Sequence, residues 1–142
     1  MWRMLGAAVA LPGILALHGE SQLLGGQIRA ALETTDEALI WSDKNSERAY
    51  DSSLRSCRGE IFSAMGELDS AQEEFQFALS VARQQENRFQ ELRAAASLAR
   101  LWGDQGKRSE ARDRLASVYN FFTEGFDTPV LRDAKALLDQ LA

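Results

Sequence analysis

Small residues recur along this chain every 40 positions, and that period constrains its fold more than any other feature. Gly26, Gly66 and Gly106 fall in register, as do Ala31, Ala71 and Ala111. Ala38, Ala78 and Val118 form a third set, and Gly19, Gly59 and Ala99 a fourth. A fixed period of this length is the signature of a stacked repeat, in which each unit buries an apolar face against the next. The alternative is a non-repetitive helical bundle rich in alanine, although small residues at four fixed offsets in three copies are hard to attribute to composition alone.

Each offset has a physical use. The glycines at 26, 66 and 106 lie between amphipathic stretches, where a tight turn needs a residue free to adopt positive φ. Seven residues earlier, Gly19, Gly59 and Ala99 let the two helices of a hairpin approach closely. Ala31, Ala71 and Ala111 do the same from the facing helix. Apolar residues follow three- and four-residue steps on four stretches: Tyr50, Leu54, Cys57 and Ile61 from about Ser46 to Met65; Leu68, Ala71, Phe75, Ala78 and Ala82 from about Leu68 to Gln84; Leu92, Ala95, Ala99 and Trp102 from about Arg88 to Trp102; and Ala111, Leu115, Val118 and Phe122 from about Arg108 to Thr123. A last helix over 128–141 starts with Thr128 as cap and Pro129 at the first helical position, and presents Leu131, Ala134, Leu138 and Leu141. Gly125 is placed to close the preceding helix, with Phe126 folding back on Phe121.

The expectation is a single all-α domain over 1–142, a helix-hairpin solenoid with repeats at about 5–43, 46–85 and 88–123 and a capping helix at 128–141. Good helix formers dominate, and only Pro12 and Pro129 interrupt them.

The repeat resembles the tetratricopeptide repeat. Gly59-x-x-Phe62, Gly66, Ala71, Phe75 and Ala78 match that motif in one copy, and Ala99-x-x-Trp102, Gly106, Ala111, Leu115 and Val118 in the next. The 40-residue form, through Glu91 to Trp102, Gln105 to Arg112 and Val118 to Pro129, is similar to the C-terminal repeats of two bacterial groups: large maltose-activator-like, ATPase-containing transcription regulators and multidomain adenylate/guanylate cyclases. The sequence departs from the repeat at Arg55 and Arg58, and at Gln22 and Thr35, where apolar residues are usual. None of the ATPase, cyclase or DNA-binding modules of those proteins is present in these 142 residues. The resemblance therefore implies a sensor or scaffold part, cytoplasmic and engaged in signal transduction, and not the chemistry.

Composition agrees with that division. A net charge of −5, with arginines and lysines scattered among acids, counts against direct nucleic-acid binding. Lone Cys57 cannot form an internal disulfide, and lone His18 is far from it in sequence, so no nucleophile–base pair is expected. Gly103 to Ser109 has the wrong spacing for a phosphate loop, with Arg108 where Ser or Thr is needed. Asp43 to Glu47 lacks the later glycine and carboxylate of a calcium loop. Glu73 and Glu74 are assigned to an exposed helical face. No catalytic residue, cofactor or metal site is expected, and the chain is expected not to be an enzyme.

The candidate working surface is the concave face lined by the first helix of each repeat. The register assigns to it Ser53, Ser56, Glu60 and Ser63 from the second copy and Arg93, Arg100 and Asp104 from the third. Trp41, beside a charged loop, is a further possible anchor. The expected partner is a protein or peptide in this groove, with a second copy pairing through the apolar residues 2–17. Two alternatives stand beside this: a small-molecule-binding or enzymatic helical protein, and a secreted or membrane-tethered repeat protein whose residues 1–19 act as a signal. The apolar run from Leu5 to Leu17 is too short to span a bilayer, which takes ~20 residues.

Overall fold

A computed structural model describes residues 18–46, 48–123 and 128–142. Every regular element among them is helical: α1 over 18–24, α2 Ile28–Lys44, α3 Asp51–Ala64, α4 Leu68–Gln84, α5 Arg88–Asp104, α6 Arg108–Tyr119 and α7 Pro129–Leu141. The expected self-pairing through residues 2–17 and the contact of Phe126 with Phe121 lie outside the described residues.

The turns explain why the chain reverses so regularly. Gly26, Gly66 and Gly106 have φ of 79°, 81° and 84°, the left-handed conformation expected of them. In each turn the next residue reaches back five positions, from Gln27 N to Gln22 O, Glu67 N to Phe62 O and Lys107 N to Trp102 O, at 2.8–2.9 Å. These bonds satisfy carbonyls at the helix end that have no partner within the helix. Ser46 and Glu86 adopt the same conformation at φ 54° and 55°, so the chain turns at 26, 46, 66, 86 and 106. A non-glycine residue is strained there, and the sequence gives no cue to it.

Packing follows the small-residue sets. Ala31, Ala38, Ala71, Ala78, Ala99 and Ala111 are fully buried. At the crossing of α3 and α4, a Cβ on Gly59 would lie 2.5 Å from Cε1 of Phe75, so the absence of a side chain is what admits the ring. The register repeats the pairing: Gly19 faces Thr35, and the equivalent positions in the third copy are Ala99 and Leu115.

The hairpins stack closely. α3 packs against α5 as well as α4, and α7 returns onto both α5 and α6. The result is a compact set of hairpins rather than an open spiral. One continuous apolar core runs from α4 to α7, including Phe75, Leu92, Leu98, Trp102, Leu115 and Leu131. Around α2 and α3 the core splits into two small clusters, Ala38 with Leu54 and Ala31 with Cys57 and Ile61. Buried Thr34, Thr35, Ser42, Ser52 and Ser56 belong to this region. Thr35 tolerates its apolar position because its hydroxyl donates to the Ala31 carbonyl at 2.8 Å, and Gln22 accepts from Thr34 at 2.7 Å.

Three expectations need correction. The helix expected from Ser46 begins at Asp51, and Tyr50 is exposed rather than on the buried face. Arg48 holds this loop by pairing with Asp43 at 2.6 Å and Asp51 at 3.2 Å. The helix expected to reach Thr123 ends at Tyr119, leaving Phe121 exposed and Phe122 tilted against Phe89 at 5.3 Å. In α7 Leu131 and Leu141 are buried as expected, but Leu137 joins them in place of Leu138, which is half-buried.

Candidate functional site

α1, α3 and α5 are the first helices of successive hairpins, and their outward faces carry charge in register. Glu20, Glu60 and Arg100 occupy one repeat position. Arg93 on α5 reaches across both neighbours, 2.7 Å from Glu20 and 3.8 Å from Glu60. The Ser97 hydroxyl donates to Glu60 at 3.4 Å. Burial pushes the Glu60 carboxyl above its ordinary range, with Glu20 adding to the rise, while Arg93, Ser97 and Arg100 oppose it.

Beside this ladder a cleft of about 430 Å³ opens between α3 and α5 over the start of α4. Leu68, Phe75 and Leu101 supply its apolar surface, and Glu60, Ser63, Ser97, Arg100, Asp104 and Gln105 its polar edge. An apolar bed with a few placed polar groups is the usual makeup of a binding cleft, and roughly 300–1,000 Å³ is the usual size.

Of the seven residues assigned to the concave face, Glu60, Ser63, Arg100 and Asp104 line this cleft together. Arg93 lies next to it, tied to Glu20 and Glu60. Ser53 is half-buried and does not line the cleft. Ser56 is fully buried, because α3 is packed against α4 and α5 at once, and so offers nothing to a ligand. Sequence reasoning missed Leu68, Phe75, Ser97, Leu101 and Gln105 as lining residues. Leu68 and Phe75 belong to the second helix α4, which the register left out, while Ser97, Leu101 and Gln105 belong to α5 and its end but fall outside the positions taken as concave. Glu20 could have been found, since it shares the 40-residue register of Glu60 and Arg100.

Glu74 also differs from expectation. It is buried, not solvated like Glu73, and pairs with Arg58 at 2.6 Å and Arg55 at 3.3 Å. Arg58 continues to Asp36 at 2.8 Å, and Arg55 lies over the Phe77 ring at 4.4 Å. This network accounts for the two arginines that interrupt the apolar pattern of α3. Trp41 is half-buried in a shallow depression on α2 with Glu33, Asp36, Glu37, Ile40 and Lys44.

No group of three metal-ligating side chains converges among the described residues. No helix among them is long and apolar enough to cross a membrane. Cys57 is fully buried, and burial pushes its thiol up to about 11, which leaves it protonated and a poor nucleophile at neutral pH. Its reaction with a disulfide reagent at pH 7.5 should therefore be slow in the native chain and fast in denaturant. Equal rates in both states would contradict the buried placement.

Residues 25–96, just over half of the chain, match the family model for a tetratricopeptide repeat-like domain. No curated protein matches the chain.

Proposed function

Because the chain belongs to the tetratricopeptide repeat-like domain family, we propose that this non-catalytic helical protein binds an extended peptide or a helix of another protein along α3 and α5. The observation that carries this reading is the cleft, in which four residues assigned to the concave face by register meet over an apolar bed. Its edge offers both signs of charge and several hydrogen-bonding groups, which suits a peptide backbone with side chains better than a purely apolar ligand. In this reading the hairpins form a short solenoid, α7 shields its C-terminal end, and α3 and α5 line its concave side. The resemblance of the 40-residue repeat to regulator and cyclase tails supports a cytoplasmic sensor or scaffold role within a signalling assembly.

The test is selection of random 12-residue peptides displayed on phage against the immobilised chain, repeated with the double variant Arg100→Glu/Asp104→Lys. We expect a consensus peptide that binds the parent and is lost by the variant, while both chains unfold at similar temperature. Absence of any enriched peptide, or equal binding by the variant, would defeat the reading.

A further inference from the structure

Resting on that reading, we infer that the cleft between α3 and α5 accepts a basic side chain, lysine or arginine, of the bound peptide, with its charge at Glu60 and its methylene stem over Leu68, Phe75 and Leu101. An ionised carboxylate offers about four acceptor positions. Within the chain Glu60 has only a long bond from Ser97, at 3.4 Å, and a distant guanidinium, Arg93 at 3.8 Å, and its side chain, 35% exposed, turns its remaining acceptor positions to the solvent of the cleft. Arg93 itself is committed to Glu20 at the much closer distance of 2.7 Å. Partial burial also pushes the Glu60 carboxyl up, and Arg93, Ser97 and Arg100 offset that push only in part. A cationic group entering the cleft would replace that solvent with a close charged partner, which the chain itself does not provide.

The surroundings select among cations. Leu68, Phe75 and Leu101 line the cleft with Glu60, so an entering ammonium or guanidinium needs an apolar stem to cover them. Both basic side chains have one. Asp104 adds a second acid at the edge, so Glu60 and Asp104 outweigh the single lining cation, Arg100. Arg100 is exposed and forms no ion pair with a described residue. Its guanidinium is available to a carbonyl of the same peptide, as are the side chains of Ser63 and Gln105. An acidic side chain in this place would face Glu60 and Asp104 with Arg100 as the one lining cation, Arg93 beside it being paired with Glu20, and is disfavoured.

The test uses the full chain and the peptides selected above. The expected consensus contains one invariant lysine or arginine. Replacing it by norleucine, which keeps the stem and removes the charge, should weaken binding about 10- to 100-fold, the range for a charge-assisted hydrogen bond. Glu60→Gln should weaken the parent peptide comparably but leave the norleucine peptide unaffected, so that the two losses do not add. Enriched peptides without a basic residue, or a norleucine peptide that binds as well as its parent, would overturn the inference while leaving the groove as the binding surface. Independent losses from the two changes would overturn it as well. No enriched peptide at all would overturn both.

Glu60→Gln also has a folding control built in. A carboxyl raised in the folded state contributes stability that is present at acid pH and lost as pH rises through its folded value. With Glu20, Arg93, Ser97 and Arg100 around it, Glu60 should show that loss above the ordinary carboxylate range. The glutamine variant should therefore be at least as stable as the parent at pH 7, and its stability should change less between pH 4 and pH 7. A marked loss of stability at pH 7 would assign Glu60 to holding the helices together, and would count against a role in binding.

Discussion

Gly59→Ala should destabilise the chain by up to about 2 kcal/mol, the balance of ~1–3 kcal/mol for forcing a methyl into a packed core and ~1 kcal/mol gained from alanine's better helix propensity. The new Cβ would lie 2.5–3.0 Å from three ring atoms of Phe75. That ring is only 2% exposed, so it has nowhere to swing. The third repeat indicates the remedy, because Ala99 there is paired in register with Leu115, and both are fully buried. Phe75→Leu alone should cost about 1 kcal/mol or more through the volume it removes. Combined with Gly59→Ala it should recover most of the loss, giving a double variant more stable than the sum of the singles requires. Urea denaturation of the four proteins measures the coupling directly. Strictly additive losses would mean that the two positions do not share one space, and that the repeat register is misassigned at this crossing.

The second large effect is expected at Glu74. Its carboxylate, with a side chain about 10% exposed, is shared between Arg55 and Arg58, whose side chains are 28% and 27% exposed. Glu74→Ala leaves both cations without their common partner, although Arg58 keeps Asp36. Breaking a fully buried ion pair costs about 3–5 kcal/mol; water reaches these arginines, so a loss of about 2–3 kcal/mol is expected here. Replacing the whole network should behave differently. Arg55 and Arg58 correspond in the third repeat to Ala95 and Leu98, both fully buried in its apolar core. The triple variant Arg55→Ala/Arg58→Leu/Glu74→Leu should therefore regain most of the lost stability, or exceed the parent, because well-packed apolar groups can replace a buried ion network without loss. Thermal and urea unfolding distinguish the outcomes: a triple variant less stable than Glu74→Ala would show that the charges position α2 and α4 against α3 in a way apolar packing cannot.

The parts of the fold that were legible in the sequence are those set by single residues acting locally. Glycines 26, 66 and 106 take positive φ because little else is comfortable there, and Gly59 is small because a ring occupies its space. The seats of α4 and α5 followed from their apolar spacing, and Pro129 marked the start of α7. What stayed hidden depends on neighbours brought together only by folding. Ser46 and Glu86 turn like glycine without resembling it. Glu74 looks like a surface acid until Arg55 and Arg58 are placed beside it. Ser56 and Glu60 lie one helical turn apart on α3, yet the first is sealed inside and the second meets the cleft, since the neighbouring helices do not cover α3 evenly. Periodicity identifies the faces of a helix, and packing decides which of them remains open.

The reversal of direction at 26, 46, 66, 86 and 106 has a kinetic corollary. Among α2 to α7 every helix packs only on helices one or two steps away along the chain, and the one longer reach among the described residues is the Arg93–Glu20 ion pair from α5 to α1. Assembly therefore never waits for distant segments to find each other, and the entropy of closing long loops does not set the rate. Such an arrangement can begin at whichever hairpin forms first and spread outward from it. The uninterrupted apolar interior from α4 to α7 makes that end the natural place to start, with the more polar surroundings of α2 and α3 joining afterwards.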